Sequence, residues 1–314
     1  MSNFPKTHEE FIKAGYKATE LLRDTDFVNG FTVHGKKRIG EYRDYCENAE
    51  QPQWMIMPLH TYIDPIESRD MTTDKYTFAD TDGVHTIRYN PEEKSLLFRL
   101  NAVNNYKGQP HDLATYSWWP HLLINQDYSE FPMELREKTG ADADRIYLNI
   151  DVRVLDYKDT INKEGNNSLT FPIFFYLLAD NAPGRKIWFG GCTIVHSDPK
   201  FDPNPVAHWS PDSAAHQYMY CVPSKFLFNG MENSFTPAPG VYKTGEEWKH
   251  IFFDLTPSIE EAIEWSNRDD AYGYQVTKKD LYFAGANIGF EIHGNYDCTV
   301  EIKNFKLISY RKGE

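Results

Sequence analysis

The sequence lacks a disulfide framework. Its 314 residues include four cysteines, Cys46, Cys192, Cys221 and Cys298, which are widely separated and form no C-x-x-C pair. Free cysteine is commonly a small core residue, so we expect four buried, reduced thiols. The spacing gives no support to a disulfide scaffold or to a cysteine-based zinc site.

Positive charge is also scarce. The chain has 33 lysines and arginines against 46 aspartates and glutamates, and its formal net charge at pH 7 is −13. The longest basic cluster is residues 34–38. Nucleic acid is therefore disfavoured as a partner, since phosphate binding requires a basic surface. A neutral or cationic ligand fits better, unless a local basic pocket overrides the global sign.

Long hydrophobic runs are absent as well. No stretch of about 18 apolar residues could span a membrane, and the N-terminus lacks the charged segment and apolar run of a secretory signal. We therefore expect no membrane partner and a cytoplasmic location. A secreted protein whose signal had been removed would have the same sequence. The hydrophobic content of 40% is enough for a sizeable core.

Sharp catalytic motifs are missing. No H-E-x-x-H, H-x-H, G-x-S-x-G, Walker A or E-x-D-x-x-E pattern occurs. Zinc hydrolase, cupin, phosphate-loop and laminarinase chemistry are thus unsupported, and we expect no required cofactor. A structural calcium ion stays open, because Asp80-Thr81-Asp82-Gly83 resembles part of a calcium loop, although the upstream Asp and the downstream Glu of a full loop are missing.

Helical periodicity is found only near the two ends of the chain. Thr7 and Glu10 form a T-x-x-E capping box, and apolar residues follow at helical spacing. We predict a helix over residues 7–23, in an N-terminal extension of residues 1–25, that packs outside the main fold. A second, late helix is predicted to start in one of two ways, with Thr256 as N-cap and Pro257 at the first helical position, or with Ser258 as N-cap and Glu261 three residues on.

Short strand patterns separated by turn residues fill the rest of the chain. They cover residues 76–78, 86–89, 95–103, 121–125, 145–155, 173–178, 187–196, 217–222 and 250–255, and then 281–310. We predict one all-β domain over residues 1–314, an antiparallel β-sandwich of the jelly-roll class. Residues 197–216 have no strand pattern and are predicted to form a loop beside a groove.

Two segments alternate between apolar and polar side chains with the period of a strand. They are residues 145–155 and 287–293. Each predicted strand therefore has one buried face and one face that carries polar, chemically active groups. Near Lys303-Asn304 the phase of the alternation slips by one residue, which predicts a β-bulge in the last strand.

Three segments carry a resemblance to a known class. Residues 247–257, 289–292 and 300–307 resemble the closing strands of jelly-roll carbohydrate-binding modules and of concanavalin-like lectin and glucanase domains. The resemblance implies a sugar-binding groove on a concave sheet. In such grooves aromatic rings stack on sugar faces and polar side chains meet hydroxyls.

The polar faces of the alternating strands supply the candidate site. We predict Glu291 and Asp151 as acid and base carboxylates, because each lies mid-strand opposite an apolar run. The predicted assisting groups are His121 and His293. The predicted substrate-binding residues are Trp118 or Trp119 as a stacking platform, with Tyr147, Asn149, Arg153 and Asn287.

Three functions remain open. The first is a carbohydrate-active enzyme, a glycoside hydrolase or polysaccharide lyase acting on a poly- or oligosaccharide, because the chain is about twice as long as a bare binding module requires. The second is a lectin-like protein without turnover. The third is a structural or protein-interaction sandwich, since polar faces of antiparallel sheets are ordinarily just solvated.

Overall fold

The structure is a computed structural model that describes residues 4–33, 40–42, 52–59, 76–80, 83–107, 119–128, 141–159, 168–180, 182, 185–197, 208–212, 216–222 and 247–313. For residues 40–42, 159, 168, 192–197 and 208 it describes the backbone alone. Cys46, Trp118 and residues 198–207 of the predicted loop lie outside the described residues.

Strands dominate the described part of the chain. They are β1 (Tyr16–Glu20), β2 (Phe31–Val33), β3 (Gly40–Tyr42), β4 (Trp54–Leu59), β5 (Thr77–Ala79), β6 (His85–Asn90), β7 (Ser95–Asn101), β8 (His121–Asp127), β9 (Arg145–Asp159), β10 (Ser168–Ala179), β11 (Lys186–Ser197), β12 (His208–Asp212), β13 (Gln217–Cys221), β14 (Lys249–Asp254), β15 (Leu281–His293) and β16 (Tyr296–Lys312). Every predicted strand is therefore present, with shifted ends.

Helices are few. They are α1 (His8–Lys13), α2 (Ala102–Asn105) and α3 (Thr256–Arg268), with a short 3₁₀ turn at Lys278–Asp280. None of the helices in the described ranges is long and apolar enough to cross a membrane.

The strands form two sheets. Within the described residues, sheet I has the order β14-β9-β16-β7-β6-β5, with β1 also paired to β16, and sheet II has the order β12-β13-β11-β10-β15-β8-β4-β2-β3. Neighbours are antiparallel except for two pairs, β11 with β13 and β2 with β4. The chain crosses between the sheets from β7 to β8, to β9 and to β10. The predicted β-sandwich of the jelly-roll class is confirmed.

The two sheets pack face to face through aromatic side chains. Phe98 of β7 meets Phe171 of β10 with ring centroids 5.4 Å apart, and Trp54 of β4 meets Phe305 of β16 at 6.0 Å. All four side chains are buried. The core therefore lies between the sheets, and the apolar face of each strand points toward it.

The two alternating segments of the sequence lie in different sheets. β9 belongs to sheet I and β15 to sheet II. Ile150 of β9 and Phe290 of β15 are both 0% exposed in the same core. Because these apolar faces point toward each other, the polar faces point away from each other. Asp151 and Glu291 consequently lie on opposite outer surfaces of the sandwich.

The bulge predicted in the last strand is confirmed. The pairing of β16 with β9 is irregular between Lys303 and Lys306, and Asn304 has a φ of 54°. On either side of the bulge, Ile302 and Phe305 are both fully buried. The extra residue keeps the apolar side chains of the strand in the core although their parity changes.

The N-terminal helix is much shorter than predicted. Thr7 Oγ1 accepts a hydrogen bond from the backbone N–H of Glu10, as the capping box requires, but α1 ends at Lys13. Gly15 follows with a φ of 81°, and residues 16–20 then pair with β16 as strand β1. The prediction of a helix over residues 7–23 is wrong. Residues 16–20 form backbone hydrogen bonds with β16 instead, and Gly15 allows the turn between helix and strand.

The placement of α1 is as predicted. Phe11 on its inner side stacks on Tyr310 of β16, with ring centroids 4.1 Å apart, and also contacts Tyr147 of β9. These rings form a small cluster on the outer face of sheet I, separate from the main core. The helix therefore covers the outside of sheet I and leaves sheet II uncovered by α1.

The late helix begins at Thr256, one residue earlier than the start with Thr256 as N-cap and three residues earlier than the start with Ser258 as N-cap. The Asp254 carboxylate accepts a hydrogen bond from the backbone N–H of Thr256, and Pro257 lies in the first turn. Ile259 and Ala262 are fully buried on its inner side. Among the cysteines with described side chains, Cys298 is buried and Cys221 is half-buried.

Gly289 is a position where the sandwich tolerates no side chain. It has a φ of 151°, and a Cβ atom built there would lie 2.0 Å from the carbonyl oxygen of Leu122 and 2.8 Å from the Cα of Leu123. Both atoms belong to the backbone of the paired strand β8, which cannot move without breaking the sheet. We expect Gly289→Ala to lower the free energy of unfolding by about 3 kcal/mol or more in urea titrations.

Gly313→Ala is the matched control. A Cβ atom at Gly313 would meet only the carbonyl oxygen of Gly15, at 3.8 Å, an ordinary contact. We expect a change of less than about 0.5 kcal/mol. Equal midpoints for the two variants would contradict the close approach of β15 to β8.

Candidate active site on sheet II

The centre of the candidate site is Glu291 on the outer face of sheet II. In the sheet register Glu291 lies beside Thr170 of β10 on one side and His121 of β8 on the other. The Thr170 hydroxyl donates a hydrogen bond of 3.1 Å to the backbone carbonyl of Glu291. Glu291 is therefore held in the middle of sheet II, on β15 between β10 and β8, rather than on a loop.

Trp119 orients this group. The residue lies just before β8, and its ring lies against His293, with centroids 3.8 Å apart and planes tilted by 35°. The same ring is 5.6 Å from the ring of His121. The Trp119 side chain is hydrogen-bonded to the Glu291 carboxyl. The donor is the indole N–H, because this is the single donor group of a tryptophan side chain. Trp119, His121, Glu291 and His293 therefore form one cluster.

The environment changes the acidity of Glu291. The pKa of its carboxyl is raised to about 7, chiefly by burial and to a smaller extent by the charge of Asp212, whereas the hydrogen bond from Trp119 opposes the shift. Burial acts because a charged carboxylate loses its hydration in a low-dielectric setting. Glu291 can consequently hold a proton near neutral pH, as a general acid must.

A second carboxylate, Asp212, acts on Glu291 from the edge of sheet II. It ends β12, opposite Gln217 of β13. The charge of Glu291 likewise contributes to raising the pKa of the Cys221 thiol on β13 to about 12, although burial is the larger cause. Strands β12 and β13 therefore come within electrostatic range of Glu291.

The sequence pattern does not predict the strand that carries Asp212. This residue follows Pro211, and proline breaks a strand pattern because it has no N–H donor. At a sheet edge this donor is dispensable, and β12 is an edge strand. Residues 208–212 thus form a strand where a continuous loop was predicted. The signal that could have revealed it is the polar alternation of Ser210 and Asp212.

Next to Glu291, the outer face of sheet II carries a network of hydrogen-bonded polar side chains. Asn287 of β15 and Asn125 of β8 are paired in the register, and Asn287 is 3% exposed. The Tyr176 hydroxyl of β10 donates to Asn125 Oδ1 and also hydrogen-bonds Asn287. Of the residues predicted from the sequence, Glu291, His121, His293, Trp119 and Asn287 are brought together.

Asp151 is not part of this cluster. On sheet I it is hydrogen-bonded to His250 Nδ1 at 2.7 Å and to Asn304 Nδ2 at 2.5 Å. The predicted pairing of Asp151 with Glu291 as acid and base is therefore wrong, because the whole core separates the two side chains.

The other residues predicted on the polar face of β9 also lie on sheet I. Tyr147 is buried beneath α1, and Asn149 donates to the backbone carbonyl of Asn304 at 2.7 Å. Arg153 pairs with Glu301 at 2.8 Å and lies over the ring of Trp248 at 4.2 Å. None of the three shares a surface with Glu291, so the prediction that they join its substrate site is wrong.

No group of three or more His, Cys, Asp or Glu side chains in the described ranges is arranged to hold a metal ion. Asp80, from the segment that resembles part of a calcium loop, bonds His85 Nδ1 at 2.6 Å. Burial alone would raise the pKa of Asp80, but the hydrogen bonds and charge of His85 hold it below its usual value. Thr81 and Asp82 lie outside the described residues, so the calcium ion stays a prediction.

The comparisons with known proteins found similarity to solved structures. No protein-family model and no curated protein matches the chain. A family 11 xylanase from Neocallimastix patriciarum aligns at 10% identity and a TM-score of 0.36, covering 74% of this chain and 90% of that one. The endoglucanase Cel12A from Rhodothermus marinus aligns at 10% identity and 0.37, covering 73% and 87%. A family 12 xyloglucanase from Bacillus licheniformis aligns at 9% and 0.35, covering 75% and 97%.

These similarities are too distant to support an argument about the activity of this chain. With identities of 9% to 10% and TM-scores of 0.35 to 0.37, they assign no family to this chain. The roles of Glu291 and Asp212 therefore depend on the geometry of this chain itself.

The raised pKa of Glu291 links stability to pH. The folded carboxyl titrates near pH 7, whereas an ordinary Glu titrates near 4.5. Between these values the folded protein binds more protons than the unfolded one, so this contribution to stability is lost as the pH rises. We expect the unfolding free energy of the wild type, relative to Glu291→Gln, to fall by on the order of 3 kcal/mol between about pH 4 and about pH 8.

Urea titrations of the two proteins at both pH values measure this difference. Subtracting the variant removes the contribution of all other titrating groups, because these are common to both proteins. A difference that stays constant with pH would show that Glu291 titrates like an exposed glutamate.

Proposed function

We propose that this protein is a glycoside hydrolase that binds a poly- or oligosaccharide on the outer face of sheet II. The observation that carries the proposal is the pair formed by Glu291 and Asp212. The charge of Asp212 acts on the Glu291 carboxyl, and Glu291 is half-buried beside His121 and Trp119. Glycoside hydrolysis ordinarily uses two carboxyls, one of them an acid with a raised pKa.

Glu291 is the proton donor in this proposal. Its neutral carboxyl donates a proton to the glycosidic oxygen, and the bond from that oxygen to the anomeric carbon breaks with its electron pair going to the oxygen. Asp212, as a carboxylate, either takes a proton from a water molecule that attacks the anomeric carbon or attacks that carbon itself. In the second route the glycosyl ester on Asp212 is then hydrolysed by a water molecule that gives a proton to the Glu291 carboxylate. The configuration of the first product, measured by proton NMR, distinguishes the two routes.

His121, His293 and Trp119 support the acid. The hydrogen bond from Trp119 fixes the direction of the carboxyl, and the ring of His293 fixes Trp119. Trp119 is half-buried, and in this proposal the exposed part of its ring stacks on a sugar ring. Asn125, which is half-buried, supplies an amide group for a sugar hydroxyl on the outer face of sheet II, and the buried Asn287 supports it through Tyr176.

A lectin-like protein is the second candidate. The observation that favours it is the set of aromatic rings on the same face, among them Trp119, Tyr176 and Trp188, since stacking and hydrogen bonds alone are enough to bind a sugar. Binding without turnover would support this candidate. Unsaturated products would instead indicate a lyase.

Release of new reducing ends from soluble neutral xylan, glucan and xyloglucan tests the proposal. We expect the wild type to release them from at least one polymer. Glu291→Gln should lower the rate by about a hundredfold to ten-thousandfold, because the proton donor is lost. Asp212→Asn should lower the rate by a comparable factor.

Asp156→Asn is the matched control, since Asp156 is an exposed carboxylate of sheet I that pairs with Lys158 at 3.3 Å. We expect its rate to match the wild type. Thermal melting of each variant separates loss of activity from loss of folding. Full activity in Glu291→Gln would refute the proposed acid.

A further inference from the structure

The outer face of sheet II has a second chemical feature at its other end, around Lys186 and Trp188. Both residues are on β11, where Lys186 pairs with Leu178 and Trp188 pairs with Tyr176 of β10. The Lys186 ammonium lies 4.3 Å from the ring centroid of Tyr176 and 5.5 Å from that of Trp188. The two rings meet edge to face at 5.0 Å. A cation therefore lies against two aromatic rings on this face.

The ammonium of Lys186 is incompletely paired. Its ionic partner is Asp127 of β8, at 3.7 Å, which is longer than a hydrogen bond. The side chains are 26% and 34% exposed, so this ion pair contributes little stability. Among the residues that the structure describes, none accepts a hydrogen bond from Lys186 Nζ. Its donors are thus available to a ligand.

Trp188 adds an aromatic surface. Its ring is half-buried, whereas its indole N–H is buried and has no acceptor in the described part of the chain. Because a ligand on the surface does not reach a buried N–H, Trp188 offers the exposed part of its ring.

The distance between Glu291 and Lys186 sets the minimum length of a ligand that contacts both residues. Thr170 lies beside Glu291 and Leu178 beside Lys186, eight positions apart along β10. A strand of that length spans about 26 Å. A single sugar cannot bridge this distance, so a ligand that engages both ends must be an oligomer.

We propose that Lys186 and Trp188 form a subsite for a uronic acid unit of an acidic polysaccharide. A carboxylate offers acceptor oxygens to the Lys186 ammonium, and the apolar face of the same sugar ring can pack on the exposed part of Trp188. Lys186 supplies the positive charge at this corner, and the carboxylate of the ligand competes for it with Asp127. This inference rests on the proposed function, because it takes the outer face of sheet II as the polysaccharide site.

Affinity electrophoresis through matched acidic and neutral polymers tests the subsite. The pairs are glucuronoxylan with arabinoxylan, carboxymethylcellulose with hydroxyethylcellulose, and polygalacturonate with its methyl ester. We expect the wild type to bind the acidic member more tightly in at least one pair. Lys186→Met should reduce that preference about tenfold, since hydrogen bonds to charged groups are the stronger ones. Lys186→Arg should retain most of it, and added salt should weaken it.

Lys158→Met is the matched control, because Lys158 is 60% exposed on sheet I. It removes the same charge and should leave the acidic preference at the wild-type value. The inference is overturned if no acidic polymer is preferred, if none binds, or if Lys158→Met and Lys186→Met have equal effects. Glu291-dependent cleavage of neutral polymers without acidic preference would retain the proposed function and remove the subsite.

Discussion

The structure depends on one constraint, the burial of two alternating apolar faces against each other. Ile150 of β9 and Phe290 of β15 are fully buried in the same core, and the outward direction of every polar neighbour follows from this. The sandwich therefore has two chemically different exteriors. Sheet I carries ion pairs such as Arg153 with Glu301, in which charges are satisfied within the protein. Sheet II carries the half-buried Glu291, whose charged form is disfavoured.

Much of the fold could be predicted, because it is encoded in local patterns. The period of two revealed the long strands, and the change of phase revealed the bulge at Asn304. The end of α1 could not be predicted from apolar spacing, because Ala18, Leu21 and Leu22 fit a helix as well as they fit a strand and its exit. Residues 16–20 form a strand because they pair with β16, which is distant in the sequence. A local pattern of apolar residues contains no information about such a partner.

The candidate site was predictable only in part, for a related reason. Alternation identifies that Glu291 and Asp151 point away from the core, but it does not say to which sheet each strand belongs. His121, His293 and Trp119 share the sheet of Glu291 because β8 pairs with β15, which is a property of topology. Asp212 was missed because its strand is short, lies at an edge and contains a proline.

The pairing of β1 with β16 has a consequence for the order of folding. Tyr16 is opposite Lys312, so the contact closes a loop of nearly the whole chain. β16 is also the central strand of sheet I, between β9 and β7. During synthesis the earlier strands of this sheet must therefore wait for their central partner with unpaired edges. Such non-local pairing slows folding and exposes apolar surface, which makes assistance by chaperones valuable.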